Sequence, residues 1–244
     1  MRLEGRIKKL LAINLTTGIE TRGSVQSYDS EFVNQTTPPS VSEVDAFYRQ
    51  AGVDLAVQAC RKALKEWGGE YSDITHTIAV TCTNQGNPGY DLLVHKKLGL
   101  EPTVDRMLLH GVGCAGGLAI MRAAAQIASG AASRHCPARI LAFACELCTP
   151  IVRSALAEAE SCPDPKNVSI GAALFSDAAA AFVLCNEYGL GEKTKPLFEL
   201  IEWGNATIPE TIQYMGFLSH IYGAYLKSPA GTRLMDDFKV SKLF

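Results

Sequence analysis

Short apolar segments of strand length alternate with helical segments along this chain, and this alternation constrains its fold more than any other feature. The apolar segments span residues 77–82, 106–112, 139–145 and 178–185. Strands that are apolar on both faces and alternate with helices are typical of an α/β layered fold around a buried sheet. With 244 residues, the chain is long enough for one large domain or two small ones.

Three helical segments are predicted between these strands. Ser40 and Glu43 have the pattern of a capping box, and apolar residues recur at helical spacing beyond it until Gly68. The second and third helices are predicted over residues 88–98 and 115–132, and the third is so rich in alanine and isoleucine that we expect it to be buried on all sides.

The two ends of the chain have weaker patterns. The first 39 residues are polar and predict irregular structure, apart from a segment over residues 8–14. After residue 196, the segments 197–203 and 215–226 predict strands with no helix between them. They indicate a C-terminal β-hairpin extension.

Composition excludes several classes of function. The net charge is -2, which does not favour nucleic acid or an anionic membrane as a partner. Apolar runs stay shorter than the ~18 residues that a membrane span requires, and the first residues lack the pattern of a signal peptide. We therefore expect no membrane span and a cytoplasmic location. Most of the 8 cysteines lie in apolar segments, which is typical of reduced core thiols rather than of disulfides.

One cysteine has a different setting. Cys114 lies where the apolar strand over residues 106–112 gives way to the alanine-rich helix. Unpaired backbone N–H groups and the helix dipole at a helix N-terminus favour the thiolate, and the flanking glycines allow close approach of a substrate. This setting predicts a nucleophile that carries an acyl group, although a thiol packed into a tight turn fits the same residues about equally well.

Two other interpretations of these motifs are weaker. Residues 111–116 match the GxGxxG pattern of dinucleotide-binding turns, but helices and strands precede it, and Glu146 lies beyond the position expected for the partner acidic residue. Cys145 and Cys148 form a CxxC pair with Cys136 and Cys162 nearby, but a strong zinc signal has two such pairs in loop-like sequence, and this single pair ends an apolar strand. We therefore predict that the chain binds no metal and no resident cofactor.

Several motifs, in order and at matching separations, resemble a known family. They span residues 80–84, 88–91, 98–100, 113–117, 144–146 and 171–180. Together they resemble a type III polyketide synthase of the chalcone and stilbene synthase kind, in the thiolase-like superfamily. Residues 203–211 are similar to fungal members in particular. The resemblance implies a thiolase-like layered fold with a mixed sheet flanked by helices.

The resemblance also implies site residues and substrates. Cys114 takes the position that is loaded with a starter acyl group from acyl-CoA, which is then extended with malonyl-CoA by decarboxylative condensation. Phe175 takes the position of the family's gatekeeper aromatic, and Asn87 the position that reaches into the partner's cavity across a homodimer interface. The starter and elongation pockets are implied to be lined by Thr83, Glu146, Cys148 and Ile151. Asp177 is interpreted as structural, holding a loop through backbone hydrogen bonds.

The resemblance divides the chain at residue 187. Residues 1–187 correspond to the N-terminal domain, and residues 188–244 to the start of a second half that diverges at its end. The family's second half supplies a histidine and an asparagine that stabilise charge during condensation, and losing one such donor costs ~10²–10³ in rate. We therefore expect a truncated chain with impaired condensation and poor solubility. The alternatives are a non-catalytic partner of an intact synthase and an enzyme similar to ketoacyl-ACP synthase III.

Overall fold

The computed structural model describes residues 2–27, 29–161, 168–191, 194–211, 216–220 and 223–227. The α-helices are α1 (Arg2–Thr16), α2 (Glu31–Asn34), α3 (Val41–Phe47), α4 (Val53–Trp67), α5 (Tyr90–Leu98), α6 (Gly116–Ala132), α7 (Thr149–Ser161) and α8 (Gly171–Leu174). The strands are β1 (His76–Val80), β2 (Asp105–Leu109), β3 (Arg139–Glu146), β4 (Ala178–Cys185), β5 (Gly216–His220) and β6 (Gly223–Lys227). A π-helix, Tyr48–Gly52, joins α3 to α4, and short 3₁₀ turns lie at Tyr71–Asp73 and Gly113–Ala115.

Contacts within the chain define two units. The sheet unit consists of Asp45–Glu146 and Ala178–Asn205. The helical unit consists of the described residues of Met1–Val44, Leu147–Asp177 and Ala206–Phe244. The predicted boundary at residue 187 follows the family resemblance rather than these contacts, and it stays a prediction.

The sheet unit is built on a mixed sheet with the strand order β2-β1-β3-β4. β1 pairs in parallel with β2 and with β3, whereas β3 pairs with β4 in antiparallel orientation. Parallel neighbours require crossover connections, and α5 and α6 supply them. The predicted α/β layered fold with a mixed sheet flanked by helices is therefore confirmed.

The two faces of this sheet carry different side chains. Ile78 and Val80 of β1 and Ile140 of β3 pack against α6 in one apolar cluster. Neighbouring side chains of a strand point to opposite faces, so Phe143 and Cys145 of β3 face the other way. There the ring of Phe143 packs edge-on against that of Tyr90 at a centroid distance of 5.7 Å.

The capping box and the end of the first predicted helix are confirmed. The Ser40 backbone N–H donates to Glu43 Oε2 at 2.7 Å, and the Glu43 N–H donates to Ser40 Oγ at 3.3 Å. α4 ends at Gly68, whose φ of 79° is the left-handed conformation in which glycine commonly ends a helix. Between these ends the structure has a π-helix that helical spacing alone does not predict.

Three expectations were wrong. α6 is not buried on all sides, because Leu118 is 73% exposed and Gln126 and Ser129 are also exposed. Residues 197–203 form no strand but an irregular segment in which Phe198 is 91% exposed. The leader contains a helix, α1, that is longer than the segment predicted over residues 8–14.

The helical unit has its own small core. Leu10 and Ile13 of α1 pack with Ala159 of α7 and with Ala173 of α8. The predicted C-terminal hairpin is present as the antiparallel pair β5–β6, and β6 packs against α7. No helix in the described part of the chain is both long and apolar enough to span a bilayer.

Candidate active site

Cys114 lies in the turn that leads from β2 into α6. Gly113 begins this turn with φ at 64°, a left-handed conformation that disfavours residues with a side chain. Cys114 occupies the middle of the 3₁₀ turn Gly113–Ala115, and α6 begins directly after it at Gly116. Cys114 therefore lies at a strand-to-helix turn, as predicted. Its thiol is exposed rather than packed into the turn.

The turn is pressed against the end of the neighbouring strand. Gly116 is buried, and a Cβ atom built on it would lie 2.9 Å from Cγ2 of Val80, the last residue of β1. The Thr81 N–H donates to the Leu109 carbonyl at 3.4 Å, so the segment after β1 stays paired with the end of β2. Parallel strands end at one edge of a sheet, and their carboxyl ends are where ligands bind in open α/β sheets.

The Glu146 carboxylate, on the parallel strand β3, accepts several hydrogen bonds at this edge. Glu146, the last residue of β3, accepts a hydrogen bond from Thr83 Oγ1 at 2.7 Å. Its Oε1 accepts the Cys82 backbone N–H at 3.0 Å, and Thr81 Oγ1 lies 3.1 Å from its Oε2. The structure thus brings together two of the predicted pocket residues, Thr83 and Glu146.

Cys82 lies between these groups, although the motif predicted no role for it. Burial raises the pKa of its thiol to about 12, and the negative charge of Glu146, a hydrogen bond to Glu146 and the charge of Cys114 add to this effect. Cys82 is therefore a neutral thiol at physiological pH. Its position next to Thr83 in the 80–84 motif was the only signal in the sequence.

The loop that carries Asn87 is tethered to the start of the first long helical region. Asn84 Nδ2 donates to Asp45 Oδ1 at 2.8 Å, and Arg49 Nη2 donates to the Pro88 carbonyl at 3.1 Å. Arg49 and Asp45 also form an ion pair at 2.8 Å. Asn87 itself is exposed and precedes a cis peptide bond to Pro88. Asp45 and Arg49 were not predicted as part of this region, although opposite charges at i, i+4 spacing are a recognisable pattern.

The remaining predicted residues belong to the helical unit. Phe175 is half-buried and follows α8, and a Cβ atom on Gly171 would lie 3.2 Å from its ring. Ile151 is buried in α7, and the carbonyl of Cys148 accepts the Ile151 N–H at 2.9 Å. The structure gives no test of the pocket roles of these three residues.

Asp177 has the structural role that was predicted for it. Its Oδ1 accepts the backbone N–H groups of Cys148 at 2.7 Å and Thr149 at 2.8 Å, and its Oδ2 accepts that of Val25 at 3.0 Å. The carboxylate therefore joins three chain segments of the helical unit.

The described residues offer little to a metal ion. The seven described cysteines are all free thiols. Among the described residues, no group of three or more His, Cys, Asp or Glu side chains could hold a metal. The strand ends present an exposed thiol, that of Cys114, and a hydrogen-bonded carboxylate, that of Glu146.

Comparison with known proteins identifies the class of protein that this fold and turn define. Residues 24–187 match the family of chalcone and stilbene synthases, N-terminal domain. The chain belongs to this family. The predicted resemblance is confirmed, and family membership favours it over the dinucleotide-binding interpretation of residues 111–116.

Individual proteins that the chain is similar to include fungal type III polyketide synthases. The chain is 63% identical over 218 residues to the type III polyketide synthase pspB of Penicillium soppii, covering 89% of this chain and 55% of pspB. It is similar to the crystal structure of a fungal type III polyketide synthase, ORAS, with 42% identity and a TM-score of 0.85, covering 93% of this chain and 60% of that one. The structure of CsyB complexed with CoA-SH is 37% identical with a TM-score of 0.86, covering 92% and 60%. The chain thus spans between half and two thirds of the length of these relatives.

Proposed function

We propose that Cys114 accepts an acyl group from acyl-CoA. The single observation that supports this most is the exposed thiol in a turn that leads directly into α6. In this step the Cys114 thiolate attacks the carbonyl carbon of the thioester, and a new C–S bond forms to Cys114. The bond to the CoA sulfur then breaks, and CoA leaves as a thiolate that takes a proton from solvent. The N–H groups at the start of α6 favour negative charge at this position.

Malonyl-CoA is the proposed second substrate. Loss of CO₂ from malonyl-CoA leaves a carbanion, which attacks the acyl carbon on Cys114, forms the new C–C bond and releases the Cys114 thiolate. The resemblance assigns the stabilisation of this carbanion to a histidine and an asparagine of the family's second half. For the residues of this chain we therefore propose acyl loading as the activity.

The acyl chain is proposed to lie along residues that the resemblance assigns to the pocket. Thr83 and Glu146 support this proposal because they lie beside Cys82 at the carboxyl ends of the parallel strands, the edge of the sheet where the turn of Cys114 begins. For the helical unit the proposal rests on the resemblance alone, with Phe175 as gatekeeper and Cys148 and Ile151 as lining residues.

The proposed assembly is a homodimer in which Asn87 reaches the partner's cavity. The exposure of Asn87 on a loop that Asp45 and Arg49 hold in place supports this proposal. The cytoplasmic location predicted from the composition is retained as a prediction.

Mass spectrometry of the intact chain tests the acyl transfer. After incubation with octanoyl-CoA, we expect a single octanoyl adduct on the wild-type chain and none on Cys114→Ser. Cys136→Ser is the matched control, because Cys136 is also exposed but follows the other end of α6. An adduct that persists in Cys114→Ser and is lost in Cys136→Ser would contradict the proposal.

A further inference from the structure

A buried tyrosine contacts two residues that adjoin Glu146, namely Cys145 and Thr81. Tyr48 is the first residue of the π-helix and is 0% exposed. Its hydroxyl oxygen lies 2.8 Å from the Cys145 carbonyl oxygen and 3.1 Å from Thr81 Oγ1. Cys145 directly precedes Glu146 on β3, and Thr81 lies 3.1 Å from the Glu146 carboxylate.

Both ends of the π-helix contact Cys145. While Tyr48 contacts the Cys145 carbonyl, the Cys145 thiol donates to the carbonyl of Gly52, the last residue of the π-helix, at 3.3 Å. A π-helix is a rare local deviation from α-helical geometry and occurs frequently at functional sites. Here the π-helix contacts the end of the strand that presents Glu146.

The single proton of the Tyr48 hydroxyl has two acceptors within reach. In the shorter contact Tyr48 donates to the Cys145 carbonyl, which can only accept. In the other contact Tyr48 donates to Thr81 Oγ1, and Thr81 donates its own proton to Glu146 Oε2. Either donation links Tyr48 to a residue that adjoins Glu146. Burial raises the pKa of Tyr48 well above its usual range, so the phenol keeps its proton at physiological pH.

We propose that Tyr48 is a positioning residue for the acyl transfer: through Cys145 and Thr81 it fixes the Glu146 carboxylate, and with it Thr83, at the strand ends next to Cys114. That the position of Glu146 matters for acyl transfer to Cys114 rests on the proposed function. Displacement of a site group by about 1 Å can lower a rate ~10²-fold, so a hydroxyl that does not touch the substrate can still control the reaction.

Tyr90 provides a matched control for the loss of one buried hydroxyl. Its side chain is 1% exposed, and its ring packs edge-on against that of Tyr48 at 5.6 Å. Its hydroxyl donates to the carbonyl of Val80 at 2.9 Å. Removing the hydroxyl from either tyrosine removes one hydrogen bond to a backbone carbonyl in the sheet, so both changes cost similar stability. Only the hydroxyl of Tyr48 also contacts Thr81.

The experiment compares Tyr48→Phe with Tyr90→Phe in the full chain by two independent readouts. The first is the rate of octanoyl transfer from octanoyl-CoA to Cys114, measured by intact mass. We expect Tyr48→Phe to lower this rate about tenfold and Tyr90→Phe to change it less than threefold. The second is the rate of Cys82 alkylation by iodoacetamide between pH 8 and pH 10, measured by peptide mapping.

The second readout follows the position of Glu146 without any acyl transfer. The carboxylate of Glu146 contributes to the raised pKa of Cys82. A less firmly held carboxylate lowers that pKa, so we expect Cys82 of Tyr48→Phe to react about threefold faster at each pH. Tyr90→Phe should follow the wild-type profile. If Tyr48 had only a structural role, Tyr48→Phe and Tyr90→Phe would change the Cys82 alkylation rate by the same factor.

Each outcome decides the proposal. If the wild-type chain is not acylated, the proposed function fails, and the Cys82 profile alone decides whether Tyr48 positions Glu146. Equal effects of the two Phe substitutions, or no effect of Tyr48→Phe, would overturn the inference. Should Tyr48→Phe not fold, Thr81→Val removes the other end of the same contact, and we expect it to reproduce both effects while Thr81→Ser restores wild-type values.

Discussion

Cys114 and Cys82 follow neighbouring parallel strands, yet the structure gives them opposite properties. Cys114 follows β2 in a glycine-rich turn, is exposed and directly precedes α6. Cys82 follows β1, is half-buried, and has its pKa raised to about 12 by burial and by Glu146. The comparison shows that the environment after the strand sets the reactivity of a thiol. A tight turn into a helix exposes one sulfur, whereas burial and a neighbouring carboxylate keep the other neutral.

The largest expected effect is the difference in alkylation between these two cysteines. At pH 8 a thiol with a pKa of about 12 is ~10⁻⁴ ionised, about a thousandfold less than an ordinary exposed thiol. Iodoacetamide followed by peptide mapping should therefore label Cys114 at least ~10²-fold faster than Cys82. Since the thiolate is the reactive form, the rate at Cys82 should rise about tenfold for each pH unit up to its pKa.

Two other thiols calibrate this measurement. Exposed Cys136 should react readily, whereas buried Cys60, whose pKa burial raises to about 12, should stay unlabelled. Equal labelling of Cys82 and Cys114 in a chain that still protects Cys60 would refute the assigned difference.

A smaller effect is expected when the carboxylate is neutralised. Glu146→Gln removes the negative charge beside the Cys82 thiol but keeps the shape of the side chain. We expect the pKa of Cys82 to fall by about one unit, so that its alkylation at pH 9 becomes about tenfold faster. Glu101→Gln, a change at an exposed carboxylate after α5, should leave the Cys82 rate unchanged. An unchanged rate in Glu146→Gln would mean that burial alone raises this pKa.

Local pattern predicted the elements of the fold and the turn at Cys114. The strand over residues 178–185 has the predicted bounds, because its side chains form a continuous apolar run between turn residues. Cys114 was also found from local signals, since glycines and an alanine-rich helix surround it in the sequence. By contrast, the irregular segment at residues 197–203 has the composition of a strand but pairs with no described strand.

The groups around Glu146 could not be predicted in this way. Tyr48 reaches Cys145 across 97 residues, and Thr83 reaches Glu146 across 63. Sequence spacing carries no information about contacts of this length, because they depend on how the strands pair. The family resemblance supplied Thr83 and Glu146. Neither the π-helix nor the role of the Tyr48 hydroxyl has a signal in the local sequence.

The smallest expected effect concerns the packing that joins the two strand ends. Gly116 and Gly117 are consecutive in the first turn of α6, but only Gly116 is buried against Val80, where a Cβ atom would lie 2.9 Å from Cγ2. Because Val80 is β-branched and fully buried in β1, we expect Gly116→Ala to lower the free energy of unfolding by about 1 kcal/mol. A Cβ atom on Gly117 meets nothing within 4 Å, so Gly117→Ala should raise it by about 0.5 kcal/mol. Urea unfolding of both variants measures the difference. If the two substitutions have the same effect, the turn at Cys114 does not pack on β1, and the thiols of Cys114 and Cys82 are not held together at one edge of the sheet.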